Sequence, residues 1–121
     1  MYDTIIIGAG PAGISAGLYT ARGNLKTLII YYDTSSLEKT KKIENYYGFS
    51  NGIDGKRLYS QGIKQAQNIG IEVKKEEVIK IEFEGKHYKI VTSRAWVWNK
   101  NNHISYTVQR KKHFQLMEFK N

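Results

Sequence analysis

Three glycines near the N-terminus have the spacing that binding of a pyrophosphate requires. Gly8, Gly10 and Gly13 form the pattern G-x-G-x-x-G. In a turn from strand to helix, the first glycine permits the tight turn, the second lets the backbone approach a phosphate, and the third allows close packing of the helix on the sheet. Pro11 suits the first turn of a helix, whose remaining free N–H groups then face an anion. The pattern predicts a dinucleotide-binding turn.

The flanking residues supply the elements that such a turn needs. Residues 4–7 are apolar and β-branched, residues 14–21 are small or apolar at helical spacing, and residues 26–32 form a second apolar run. Strand, helix and strand in this order predict a right-handed βαβ unit with parallel strands. The alternative is a glycine-rich turn that binds nothing, and this context makes it the weaker interpretation.

One part of the pattern is missing after the second strand. An Asp or Glu about twenty residues after the glycines normally bonds the ribose hydroxyls, but Tyr31 and Tyr32 stand there, followed by Asp33. Asp33 could reach the ribose from the loop, or the contact could pass to the backbone and the tyrosine hydroxyls. We favour the alternative that Asp33 only opens the turn at 33–36. The ribose contact is left unassigned.

The chain up to residue 93 predicts one more helix and an antiparallel ribbon. Residues 43–49 (I-E-N-Y-Y-G-F) concentrate aromatic side chains that suit either a flat ring or ordinary core packing. After a turn at 50–55, residues 55–70 have the apolar spacing of an amphipathic helix that ends at Gly70. Three strands are then predicted, with a hairpin turn before the last: residues 71–73, 78–83 and 87–92.

Length and composition narrow the possibilities. The chain of 121 residues allows one modest core, less than a complete doubly wound dinucleotide-binding protein needs. It has no cysteine, so it holds no disulfide, thiolate metal site or redox dithiol of its own. The sequence has no apolar run of membrane-spanning length and no signal sequence at its start, which predicts a cytoplasmic protein without a membrane partner.

The positive charge is concentrated near the C-terminus. The net charge is +8, but residues 1–93 hold 13 basic and 10 acidic residues, whereas residues 94–121 hold 6 basic and 1 acidic. The chain therefore divides into an α/β part and a basic tail of uncertain structure. A basic chain ordinarily suggests nucleic acid as a partner. Here, however, the numbers of basic and acidic residues are nearly equal over most of the chain.

Several motifs within residues 1–93 occur together in one family. They are I-I-I-G-A-G-P-A-G at 5–13, L-Y-T-A-R at 18–22, L-K-T-L-I-I at 25–30, K-I-E-N-Y-Y-G-F at 42–49 and G-I-D-G at 52–55. In this combination the chain resembles the bacterial-type, low-molecular-weight thioredoxin reductases and their clostridial relatives.

This resemblance implies a Rossmann-like FAD/NAD(P)-binding fold and a flavin-dependent pyridine nucleotide-disulfide oxidoreductase. Such proteins are homodimers in which electrons pass from NADPH, or in some clostridial relatives from ferredoxin, through FAD to a disulfide, with thioredoxin as partner. An inserted nicotinamide-binding domain carries their C-x-x-C pair. This chain has neither that domain nor that pair, so the expected role is FAD binding, and whether the chain is itself an enzyme is left open.

The resemblance also assigns candidate FAD contacts. The pyrophosphate contacts are Gly8, Gly10, Pro11, Ala12 and Gly13. Asn45 matches an asparagine close to the flavin, and the backbone of Val78 matches the adenine contact. The candidates for the ribose and isoalloxazine contacts are Tyr31, Asp33 and Ser36, which stand where the family has an acidic residue and G-G-Q.

Residues 94–121 depart from the family. The family continues into a strand with an A-T-G motif, and the present residues show no such motif. Codons permitted for residues 105–110, read one base later, can spell V-I-L-S-K-G, close to the family sequence, so we interpret the segment as a frame slip that removes a strand and leaves an incomplete, truncated domain. Two alternatives stay open. One is an inert fragment, and the weaker one is a nucleic-acid or partner module that uses Trp96, Trp98 and the basic run at 110–112.

Overall fold

A computed structural model describes residues 1–32, 36–85, 87–99 and 104–106. The two helices are α1 (Pro11–Arg22) and α2 (Gly55–Asn68), and a short 3-10 helix spans Ser36–Lys39. The strands are β1 (Thr4–Ile7), β2 (Thr27–Tyr31), β3 (Glu72–Lys75), β4 (Val78–Glu84), β5 (His87–Thr92), β6 (Trp96–Asn99) and β7 (Ile104–Tyr106). The predicted α/β fold class and the predicted elements up to residue 93 are confirmed, with shifts of one or two residues at their ends.

The central layer is a parallel sheet in the order β3-β2-β1-β7. Residues Ile5, Ile6, Leu28, Ile29 and Ile30 are at most 1% exposed. Strands of a parallel sheet are covered on both faces, so they read as continuous apolar runs instead of alternating ones. That requirement explains the unbroken isoleucines of β1 and β2.

Two apolar clusters cover the two faces of this sheet. On one face, Ile14 of α1 and Tyr59 and Ala66 of α2 pack with Ile6 and Ile29. On the other face, a second cluster joins Tyr2, Ile5, Leu28 and Ile30 to Ile90 of β5. Alternate residues of β1 and β2 therefore pack against different layers. One layer is formed by the helices and the other by an antiparallel sheet.

The antiparallel sheet has the order β4-β5-β6. Glu84 pairs with His87 across the hairpin, and Gly85 has a φ of +67°, a left-handed conformation that favours glycine. The predicted two-stranded ribbon is thus extended by a third strand, whose Trp96 pairs with Val91.

The expectation that the segment after residue 93 supplies no strand to the parallel sheet is wrong. β7 lies parallel to β1, with Ile5 opposite Ile104 and Ile7 opposite Tyr106. Pairing at a sheet edge needs backbone N–H and C=O groups and β-compatible side chains, and I-S-Y supplies both without any family motif. A run of three residues is too short to show a period, which is why the pattern did not reveal it. The frame slip itself stays a prediction, and residues 107–121 lie outside the described residues.

Neither helix of the described chain is long and apolar enough to cross a membrane.

Candidate functional site

The turn between β1 and α1 has the geometry that its glycines predict. Gly8 has a φ of 114°, and its N–H donates to the Ile30 carbonyl at 2.8 Å. A side chain is disfavoured at this φ, so glycine is required here by the backbone. The bond to Ile30 fixes the turn at the carboxyl ends of β1 and β2, the edge at which doubly wound sheets bind ligands.

Gly10 is the N-cap of α1, and its backbone conformation does not explain why it is glycine. Its φ is −72° and its ψ is 178°, extended values that any residue adopts. No side chain caps the helix, and no acidic residue lies in its first turn. The N–H of Ile14 donates a hydrogen bond to the Gly10 carbonyl at 2.9 Å. The N–H groups of Ala12 and Gly13 lie before this first helical hydrogen bond and have no acceptor within the helix. The positive end of α1 is therefore suited to an external anion.

The other long helix of this chain is capped differently. The Asp54 side chain is the N-cap of α2 and accepts a hydrogen bond from the Arg57 N–H at 3.0 Å. The sequence thus supplies a carboxylate at the start of α2 and only glycine at the start of α1. A bound anion would satisfy the first turn of α1 as Asp54 satisfies that of α2.

A shallow cleft lies beside the first turn of α1. It is lined in part by Ala9, Pro11, Leu37, Tyr46 and Tyr59, and its volume is about 50 Å³. Ligand pockets usually measure about 300–1,000 Å³, so this cleft by itself is too small to enclose a dinucleotide. Ser36 and Asn45 directly precede Leu37 and Tyr46 in the sequence, and both are exposed. Their chain neighbours Leu37 and Tyr46 line the cleft beside the first turn of α1, and contact of Ser36 and Asn45 with a ligand stays a prediction.

Asn45 is held in place by its neighbours in the chain. Ile43 and Ile53 exchange two backbone hydrogen bonds of 2.8 and 2.9 Å, which fix the start of the aromatic segment. Tyr46 and Phe49 then pack against each other with ring centroids 6.1 Å apart. Tyr46 lines the cleft, whereas Tyr47 is fully exposed and is not part of the core. Packing of this segment against a flat ring stays a prediction.

Gly55 holds the loop that carries Ser36 and Leu37. Its N–H donates to the Thr40 carbonyl at 2.9 Å, and a Cβ at position 55 would come 2.6 Å from that oxygen and still closer to the Leu37 carbonyl oxygen. Only glycine leaves space for this packing. The sequence predicts Gly55 only as a turn residue and does not reveal this packing role, although the G-I-D-G motif at 52–55 contains the signal.

Tyr31 is the last residue of β2 and stands where a carboxylate was expected. Its half-buried ring packs edge-on against Tyr59, with centroids 6.4 Å apart and an interplanar angle of 77°. Its carbonyl accepts a hydrogen bond from the Glu76 N–H at 2.8 Å. Tyr31 therefore serves the core beneath the site, and a contact from it to the ribose stays a prediction. Asp33 lies outside the described residues.

Val78 begins β4 and packs against the cluster that contains Tyr2 and Ile90. Two hydrogen bonds hold the preceding residues in place, one from the Ser93 N–H to the Glu77 carbonyl at 2.9 Å and one from the Thr92 hydroxyl to the Glu76 carboxylate at 2.6 Å. Because Glu76 also bonds Tyr31, the start of β4 lies near the end of β2. This placement is compatible with the predicted contact of the Val78 backbone to an adenine.

Comparison with known proteins gives a match over most of the chain. The family model described as pyridine nucleotide-disulphide oxidoreductase matches residues 2–110. The chain is 40% identical over 90 residues to the thioredoxin reductase of Rickettsia typhi, covering 73% of this chain and 29% of that protein. It is also 40% identical over 93 residues to the Bacillus subtilis thioredoxin reductase, covering 75% and 29% of the two chains.

Solved structures agree with these matches. Thioredoxin reductase from Streptococcus pyogenes has a TM-score of 0.82 at 33% identity, over 95% of this chain and 37% of that one. A ferredoxin-flavin thioredoxin reductase from Clostridium acetobutylicum has a TM-score of 0.75 at 26% identity, over 94% and 40%. The chain therefore spans about 29% of the length of the thioredoxin reductases it matches in sequence. The family match also continues past Ser93, where the sequence resemblance was expected to end.

Proposed function

The chain belongs to the pyridine nucleotide-disulphide oxidoreductase family, and from that premise we propose that it is the FAD-binding N-terminal portion of a flavin-dependent oxidoreductase resembling thioredoxin reductase. The observation that carries this proposal is the start of α1. Gly10 there has an ordinary extended conformation, no side chain caps the helix and no carboxylate lies in the first turn. A glycine without a conformational need is explained when a ligand approaches its backbone closely.

Three groups of residues would contact FAD. The N–H groups of Ala12 and Gly13 and the positive end of α1 would bind the pyrophosphate, with Gly10 allowing close approach. The exposed amide of Asn45 would approach the flavin, and the Val78 backbone would meet the adenine. When bound, FAD supplies the electron-carrying chemistry, and the protein supplies binding and orientation.

The intact protein would pass electrons from NADPH or ferredoxin to a disulfide, with thioredoxin as partner, as a cytoplasmic homodimer. Thioredoxin reductases among the relatives support the disulfide substrate, and the Clostridium acetobutylicum relative supports ferredoxin as one donor. The present sequence contains no cysteine. The role proposed for these residues is therefore FAD binding, without the disulfide step.

The test is FAD titration of the full chain, followed by flavin absorbance and fluorescence quenching, with the variant Gly10→Asp. Aspartate is a favourable N-cap, so this variant should keep the stability of α1 or raise it by a few tenths of a kcal/mol. The same carboxylate would repel the pyrophosphate and occupy its donors. We expect FAD affinity to fall about 100-fold or more.

The matched control is Gly85→Asp, which adds the same charge in the β4–β5 hairpin, where Asp tolerates the φ of +67°. It should bind FAD as the wild type does. Equal affinity of the Gly10→Asp variant and the control would contradict the proposed cradle. A folded wild-type chain that takes up no FAD would favour the inert-fragment alternative.

A further inference from the structure

A second cleft lies at the edge of the parallel sheet opposite to the glycine turn. Its volume is about 170 Å³, against about 50 Å³ for the cleft beside α1. Its wall includes Thr27 and Glu72, the first residues of β2 and β3, so the cleft is at the amino ends of these strands. We call it the amino-edge cleft. The lining side chains that define its chemistry are Tyr2, Leu25, Lys26, Ile69, Ile71 and Glu72.

Two features of the amino-edge cleft suit a cation. The first is the carboxylate of Glu72, which accepts a hydrogen bond from the Tyr2 hydroxyl. That bond, opposed by partial burial and helped by Lys74 and Lys26, lowers the pKa of Glu72, so the carboxylate is charged at neutral pH. The second is the end of α2, whose C-cap Ile69 lies in the wall and whose last turn holds no basic residue. The negative end of a helix favours a cation.

Lys26 brings a positive charge to the same cleft. Its Nζ lies 5.0 Å from the centre of the Tyr2 ring, and the hydroxyl of that ring bonds Glu72. Among the described residues Lys26 forms no ion pair, and the ion pair of Glu72 is with Lys74, at 3.5 Å. An ammonium and a carboxylate therefore line one cleft without an ion pair between them. A ligand that carries both charges would bond to both.

Apolar side chains form much of the remaining wall. Ile71 is 4% exposed, whereas Leu25 and Ile69 are 41% and 48% exposed. An aliphatic group placed against Leu25 and Ile69 would remove their apolar surface from water, which is favourable. The volume of the cleft corresponds to about six water molecules of roughly 30 Å³ each. The ligand must therefore be small, with one aliphatic group beside its charges.

We propose that the amino-edge cleft binds a free α-amino acid with an aliphatic side chain, such as leucine. Its ammonium would lie beside Glu72 and the end of α2, its carboxylate beside Lys26, and its side chain against Leu25 and Ile69. An amine without a carboxylate would leave Lys26 without an anion, and a carboxylic acid without an amine would leave Glu72 without a new cation. The cleft lies at the opposite edge of the sheet from the glycine turn, so this binding does not depend on FAD.

The experiment is an NMR titration of the full chain with L-leucine in the absence of FAD. Backbone amide shifts should be concentrated at residues 25–27 and 69–72, with a Kd in about the millimolar range, as expected for a ligand of few atoms. Isoamylamine is leucine without its carboxylate, and isocaproate is leucine without its ammonium. Each should bind about 10-fold more weakly, because one charged hydrogen bond is lost. This comparison uses only the wild type and so does not depend on the folding of a variant.

Glu72→Gln and Lys26→Met should each weaken L-leucine binding about 10-fold, because each removes one charge and keeps the aliphatic part of the side chain. The control is Lys75→Met, the same change as at Lys26 but at the far end of β3, where Lys75 is exposed. It should bind L-leucine as the wild type does.

Four outcomes would each overturn the inference. They are a folded wild type whose amides do not respond to L-leucine, shifts concentrated away from the amino-edge cleft, equal affinity for L-leucine and either analogue, and unchanged affinity in Glu72→Gln or Lys26→Met.

Discussion

Gly55 packs against the Leu37 carbonyl with no space for a Cβ atom between them. This contact joins the start of α2 to the 3-10 helix at Ser36–Lys39, and so fixes one wall of the cleft beside the glycine turn. A residue with no chemistry of its own therefore positions the candidate site.

Gly55→Ala should destabilise the protein by about 3 kcal/mol, the upper end of what overpacking a tight contact usually costs. The added methyl group would meet backbone oxygens that no side-chain rotation can move away. The free energy of unfolding from urea denaturation is the measurement. Gly62→Ala is the control, because its Cβ would lie 3.6 Å from Ile14, an ordinary contact, and alanine favours the helix by about 0.5–1 kcal/mol. Equal effects of the two changes would contradict this account of Gly55.

Asp54→Ala should lower the free energy of unfolding by about 1 kcal/mol. The Asp54 side chain accepts a hydrogen bond from the Arg57 N–H at the start of α2, and loss of such a cap leaves that donor without its partner. Asp54→Ser, which keeps a capping oxygen, should cost far less in the same denaturation experiment. Similar losses for alanine and serine would show that capping is not the reason for Asp54.

Tyr2 and Glu72 should make stability depend on pH at both extremes. Burial, together with the hydrogen bond that Tyr2 donates to Glu72 and the nearby negative charge, raises the pKa of Tyr2 from 10.0 to about 12. That same hydrogen bond, helped by Lys74 and Lys26 and opposed by partial burial, lowers the pKa of Glu72 from 4.5. The Tyr2 contribution is complete below pH 10 and is lost between pH 10 and about 12. The Glu72 contribution is present above pH 4.5 and is lost as pH falls through its lowered pKa.

The measurement is the free energy of unfolding from pH 3 to 12 for the wild type and Tyr2→Phe. In Tyr2→Phe the free energy of unfolding should fall much less between pH 10 and 12 than in the wild type, because the variant has no hydroxyl to titrate. It should also fall less at acid pH, because it cannot donate the hydrogen bond to Glu72. Tyr19→Phe is the control, since Tyr19 is 78% exposed. An unchanged alkaline decline in Tyr2→Phe would assign it to another group.

Asn45→Ala should weaken FAD binding about 3- to 10-fold, the effect of losing one ligand hydrogen bond, while changing stability by less than about 0.5 kcal/mol. The side chain is exposed, so its removal leaves the core intact. FAD titration and urea denaturation of the same samples separate the two effects. Asn51→Ala removes a nearby exposed amide and should change neither quantity. A loss of FAD affinity with Asn51→Ala as large as that with Asn45→Ala would contradict a specific role for Asn45.

The sequence alone determined the βαβ unit and the glycine turn, because both depend on local requirements. Unbroken isoleucines belong to a parallel strand buried on both faces, and Gly8 marks a φ that side chains disfavour. Gly70 and Gly85 likewise mark a helix end and a hairpin by their positive φ values. These signals act over a few residues, so they can be read without knowledge of the rest of the fold.

Other features depend on residues that are distant in the chain and come together on folding. Gly55 is required by the Leu37 carbonyl, Tyr31 is held by Tyr59, and β7 finds its place through backbone pairing with β1. The sequence does not reveal these partners by residue type or by periodicity. A backbone oxygen, the edge of an aromatic ring and an open sheet edge can each be contacted by many different residues. The local sequence therefore specifies the glycine turn, and the tertiary fold places the residues that line the cleft beside it.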